Sequence, residues 1–126
     1  MSDIDYIRSC LSGEEILAQL AEEAAELSQV ALKYRRALDG TNPARIGSDE
    51  AYADLLGEIA DVELSMLAFG IPRGENEADF ICMIMAEKMV RWRKSLAARA
   101  QQQSKEEPYE AQTHDQAADV SGHPAE

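Results

Sequence analysis

Only two cysteines occur in the 126 residues, Cys10 and Cys82, each inside an apolar stretch. That scarcity argues against a disulfide framework or a thiolate metal site and leaves two buried free thiols, a state suited to a reducing compartment. The N-terminus has no basic segment followed by an apolar run. No stretch approaches the ~20 uninterrupted apolar residues that a spanning helix needs. The expectation is a soluble, cytoplasmic protein with no membrane partner. Alternating period-two runs rich in Val, Ile and Thr are also missing, which excludes a sheet-based core. The two histidines, His114 and His123, lie far along a polar C-terminal stretch, so the Glu-x-x-His pairs of a helical di-iron site are absent. No internal repeat is visible.

Basic charge is scarce as well. Twelve Lys and Arg stand against 24 Asp and Glu, a net charge of −12, which argues against a sequence-independent grip on nucleic acid. A free nucleotide is also an anion. An acidic protein that binds one needs a metal ion between the two and a few basic residues placed locally.

What the sequence does contain is helical periodicity, and the fold class it predicts is all-α, a bundle of about four helices. A short first helix falls within Ile4 to Leu11. The second starts at Ser12, where Ser12 and Glu15 form a capping box, and stops at Gly40. Its apolar stripe is Leu17, Leu20, Ala24, Leu27, Ala31, Tyr34 and Leu38. Asn42-Pro43 and Gly47 supply a break. Ser48 caps a third helix running from about Asp49 to Phe69, with Tyr52, Leu55, Leu56, Ile59, Val62 and Met66 inward, Gly57 leaving room for close packing, and Gly70 and Pro72 ending it. A fourth helix, capped by Asn76, carries Phe80, Ile81, Ile84 and Trp92 and continues to about Ala100. One folded domain, 1–100, is expected, followed by an acidic tail, 101–126. Acidic residues outnumber basic ones 6 to 1 in that tail and it has almost no large apolar side chain, the composition of a disordered segment.

Two acidic pairs stand out. Glu23 and Glu26 on the second helix lie three residues apart, about 60° around the axis and one turn along. Glu58 and Asp61 repeat the spacing on the third, beside the apolar Ile59 and Val62. Like charges at this spacing repel, and no basic residue follows Glu23, Glu58 or Asp61 by four positions to relieve them. A cation would. All-oxygen ligands without His or Cys favour Mg²⁺, or Mn²⁺, over Zn²⁺.

Glu23-Ala-Ala-Glu26 followed by Glu58-Ile-Ala-Asp61 resembles the E-x-x-E and E-x-x-D pairs of the MazG-like all-α nucleoside triphosphate pyrophosphohydrolases. The likeness runs from about Leu17 to Leu96. It includes Leu-Ala-Glu-Glu-Ala-Ala-Glu-Leu-Ser, Leu-Leu-Gly-Glu-Ile-Ala-Asp-Val-Glu and a basic last helix, Glu87-Lys88-Met89-Val90-Arg91-Trp92. The sequence departs from the family in the 31 residues between Glu26 and Glu58, longer than in many members, and in Ala86, where several relatives place an asparagine. The resemblance implies Mg²⁺-dependent cleavage of a nucleoside triphosphate between its α- and β-phosphates, giving monophosphate and pyrophosphate. It also implies assembly as a homodimer or homotetramer, which agrees with apolar stripes too long for one short chain to cover.

In such a site Glu22 and Glu63 are the candidates to accept a proton from water. Lys33, seven residues after Glu26 and about 20° off its stripe, is a candidate for phosphate binding. Lys88 and Arg91 resemble the family's basic pair. Base and sugar preference stay open, because Tyr34, Tyr52, Phe69 and Trp92 are better read as core or interface residues than as stacking platforms. A second reading also stays open: a catalytically silent acidic helical adaptor that binds another protein.

Overall fold

The structure, a computed structural model, describes residues 1–41 and 46–106. These form four helices and no strands: α1 (Asp3–Cys10), α2 (Gly13–Asp39), α3 (Ser48–Phe69) and α4 (Glu75–Glu106). The all-α expectation is met. No helix among the described residues is long and apolar enough to cross a membrane. The expected break at Asn42-Pro43, both histidines and the chain beyond residue 106 lie outside the described residues.

Local chemistry explains most of the helix ends. Ser12 caps α2 as expected: its backbone N–H donates to Glu15 Oε2 (2.8 Å) and its Oγ accepts the Glu15 N–H (3.2 Å). A second capping box, between Ser2 and Asp5, starts α1. Gly40 closes α2 at φ 67°, in the left-handed region where a Cβ is costly. At the end of α3 Gly70 (φ 87°) donates its N–H to Leu67 O (3.1 Å) while Ile71 N–H reaches Met66 O (3.0 Å). Those are the paired bonds of a Schellman ending.

Two expected caps are displaced. Ser48 is the first residue of α3, and Gly47 precedes it with no side-chain cap. Asn76 lies within the first turn of α4, which starts after Gly74, whose carbonyl accepts from Ala78 N–H (3.2 Å). The helix also runs to Glu106, past the expected end near Ala100.

The chain divides into two units, Met1–Phe80 and Ile81–Glu126. In the first, α2 and α3 pack as an antiparallel pair: Gly13 approaches Phe69 at one end, and Lys33 and Tyr34 meet Asp54 and Tyr52 toward the other. The helical rows that turn inward are offset from the expected stripe. On α2 the buried or half-buried positions include Ile16, Leu20, Glu23, Leu27, Val30, Tyr34 and Ala37, while Leu17, Ala24, Ala31 and Leu38 are exposed. On α3 they include Ala51, Leu55, Glu58, Val62, Ser65 and Phe69, while Tyr52, Leu56 and Ile59 are exposed.

Gly57 is exposed and a Cβ there would meet nothing within 4 Å, so it makes no close approach among the described residues. Cys10 and Cys82 are free, as expected, but both are exposed rather than buried. In the second unit Met89, Trp92 and Leu96 of α4 are exposed, Trp92 by 71%. Among the described residues, Trp92 is therefore not in a core.

Candidate metal centre

The inward rows of α2 and α3 each carry one acid where a bundle normally places an apolar residue, Glu23 on α2 and Glu58 on α3. Because both rows face the same seam, the two carboxylates meet there, and Glu26, one turn beyond Glu23, joins them. One carboxylate oxygen from each of Glu23, Glu26 and Glu58 lies within 4.8 Å of the others. Three negative charges from two helices thus converge on a volume the size of an ion's coordination sphere.

Glu58 is the electrostatic centre of the group. Its Oε2 is shielded from solvent and has no hydrogen-bond partner among the described residues. A carboxylate oxygen in that position has lost hydration without gaining a donor, which disfavours its charged form. The Glu58 carboxyl is accordingly raised above the usual glutamate range, first by desolvation and then by the negative charges of Glu26, Asp61, Glu23 and Asp54. Glu23, by contrast, accepts a short hydrogen bond from Gln19 Nε2, one turn earlier on α2. That contact orients the Glu23 carboxylate and leaves Glu58 as the unsatisfied member.

Asp61 stands beside the convergent trio, and its charge acts on Glu58. With Glu23 it borders a cavity of about 310 Å³ between α1, α2 and α3, whose other walls include Ile7, Leu11, Ile16, Leu64 and Ser65. Of the two expected proton acceptors, Glu22 and Glu63, both are exposed and neither belongs to the trio. Lys33 donates to Asp54 Oδ2 at 3.0 Å, an ion pair that crosses from α2 to α3 one turn before Glu58. Lys88 and Arg91 are exposed on α4 in the second unit, where Arg91 borders a surface concavity with Glu87 and Val90.

Three contributors escape sequence reasoning. Gln19 could have been found, since it precedes Glu23 by the four residues that bring helical side chains together. Asp54 and Arg8 could not, because their partners lie across the fold. Arg8 donates from Nε to Ala68 O (3.0 Å) and from Nη2 to Leu67 O (2.7 Å).

The donor set suits a hard divalent cation. Carboxylate oxygens from Glu23, Glu26 and Glu58, with Asp61 adjacent, match the all-oxygen preference of Mg²⁺ and Mn²⁺. The orphaned Oε2 of Glu58 is an acceptor that an ion would satisfy. Comparison with protein-family models, curated proteins and solved structures gives no match to this chain.

Proposed function

We propose that the chain is a Mg²⁺- or Mn²⁺-dependent nucleoside triphosphate pyrophosphohydrolase of the MazG-like kind, cleaving between the α- and β-phosphates. The observation that carries the reading is the convergence of Glu23, Glu26 and Glu58 around a shielded Glu58 oxygen that no donor satisfies. A purely solvated acidic face gives its carboxylates water, and Glu58 Oε2 has none of that exposure.

In this reading Glu23, Glu26, Glu58 and Asp61 hold the cation. When bound, it supplies positive charge against the phosphate oxygens and acidifies water near neutral pH. Gln19 fixes Glu23 through its amide. Glu22 or Glu63 accepts the proton released from attacking water. Lys33 meets the remaining phosphate charge, being held by Asp54 until a more negative partner arrives, and Lys88 and Arg91 on α4 stay the basic pair that the family resemblance offers to phosphate. The apolar residues left exposed, Leu17, Leu38, Tyr52 and Leu56 in the first unit and Met89, Trp92 and Leu96 on α4, are covered in a homodimer or homotetramer.

Titration calorimetry with Mn²⁺, beside a pyrophosphate-release assay on a panel of nucleoside triphosphates, tests the proposal. Saturable Mn²⁺ binding and metal-dependent release support it. Absence of both, with and without nucleotide, overturns it in favour of the adaptor reading. Light scattering across a dilution series tests the assembly, and a monomer active at every concentration refutes it.

A further inference from the structure

The N-terminal helix bears on the site in a way the carboxylates alone do not reveal. α1 has eight residues, none of them buried, and an isolated helix of that length does not hold its shape in water. Its docking therefore rests on few interactions. Ile7 and Leu11 face the cavity that Glu23 and Asp61 also border, and Arg8 makes two hydrogen bonds to the terminal carbonyls of α3. Those carbonyls, on Leu67 and Ala68, belong to the last turn of α3, where the helix dipole concentrates partial negative charge that favours a guanidinium. They hold α1 at one point, while the Leu11-Ser12 junction ties it to α2 at the other.

We propose that Arg8 is a positioning residue that latches α1 as the movable wall of the cavity beside the carboxylates, and so sets how tightly substrate is held. The proposal rests on the reading of Glu23 and Asp61 as part of the active site. Arg8 touches no reacting group. With the latch closed, Ile7 and Leu11 wall the cavity next to the acids and can cover whatever part of a nucleotide lies beyond its phosphates. With it open, that wall is lost while the acids on α2 and α3 stay in place. Loss of such charge-assisted bonds on a marginal element favours local opening over global unfolding.

The test uses the full chain in wild-type, Arg8→Ala and Arg8→Lys forms, with Ser2→Ala as a second way to loosen α1 through its capping box. Hydrogen exchange is read first on protein without metal or nucleotide. The α1 amides should exchange on the order of tenfold faster in Arg8→Ala, with α2 and α3 unchanged and Arg8→Lys intermediate. Kinetics with each of the four deoxynucleoside triphosphates and Mg²⁺ should then show KM raised by about tenfold and kcat nearly kept, the pattern of lost uniform binding.

Equal α1 exchange in wild type and Arg8→Ala overturns the latch, whatever the metal titration shows. Faster α1 exchange with unchanged KM overturns its link to substrate, as does a kcat that falls in step with melting temperature. If wild type neither binds Mn²⁺ nor releases pyrophosphate, the proposed function and the link to substrate fall together, and the exchange data still decide the latch.

Discussion

Two stretches of the α2–α3 seam solve the same problem in opposite ways. Toward the loop, the seam is closed by matched groups: Lys33 pairs with Asp54 at 3.0 Å, and the rings of Tyr34 and Tyr52 lie 5.5 Å apart. Nearer the middle of both helices, one turn along α3 and two along α2, Glu23, Glu26 and Glu58 come together with no ion pair to any of them among the described residues. One stretch is closed by its own groups, whereas the other gathers three carboxylates that form no salt bridge among the described residues.

The largest expected effect breaks the unmatched stretch. Glu58→Ala or Asp61→Ala should reduce pyrophosphate release by more than about a hundredfold, beyond what the outer hydrogen-bond partners of metal ligands typically cost, with the helical circular dichroism spectrum intact. Turnover at the wild-type level in either variant would remove the proposed site.

The second effect has the opposite sign and is read on stability. In metal-free protein Glu58→Gln keeps the shape of the side chain and removes a charge repelled by Glu26, Asp61 and Glu23, so its melting temperature should equal or exceed that of wild type. Adding Mn²⁺ should then raise wild type above the variant. At about 100 times the dissociation constant the linkage is worth about 2.7 kcal/mol. A variant that is less stable without metal would mean that Glu58 serves packing instead.

In the matched stretch smaller numbers are expected. The Lys33–Asp54 pair is about one-third to two-fifths exposed, and such pairs contribute about 0.2–1 kcal/mol. Asp54→Ala should therefore cost less than about 1 kcal/mol in a denaturant titration. A loss of several kcal/mol would show that this stretch is more strongly coupled than its exposure implies.

The smallest effect concerns pH at the start of α2. Glu15 sits below its ordinary value because it accepts the backbone N–H and the hydroxyl-side interaction of Ser12. A carboxyl lowered in the folded state adds stability that is present above its unfolded value, about 4.5, and lost as pH falls through the folded one. The difference in melting temperature between wild type and Glu15→Gln should thus be constant near neutrality and shrink below about pH 4.5. A difference that grows on acidification would invert the assignment.

Much of this was legible in residue order. The helix ends at Ser12, Gly40 and Gly70 were readable because capping boxes and left-handed glycines are local chemistry, contained within a few residues. The spacing of Glu23 to Glu26 and of Glu58 to Asp61 was equally local. The inward row was not. On α2 the expected stripe and the observed one share Leu20, Leu27 and Tyr34, and differ because apolar residues flank the seam on both sides. Scoring by hydrophobicity selects Ala24 over its neighbour Glu23, while the fold turns Glu23 inward. Cys10 and Cys82 misled for a related reason: an apolar neighbourhood in sequence does not by itself bury a residue.

By itself, then, the sequence determined the helices, most of their boundaries and the two acidic pairs, since each depends on backbone hydrogen bonding and side-chain spacing within one or two turns. Only the tertiary structure decided that Glu23, Glu26 and Glu58 converge, that Glu58 is left without a donor, and that Arg8 joins α1 to the end of α3. Those outcomes depend on the rotation of two helices about their own axes and on a contact spanning some sixty residues, and neither is encoded in any local pattern.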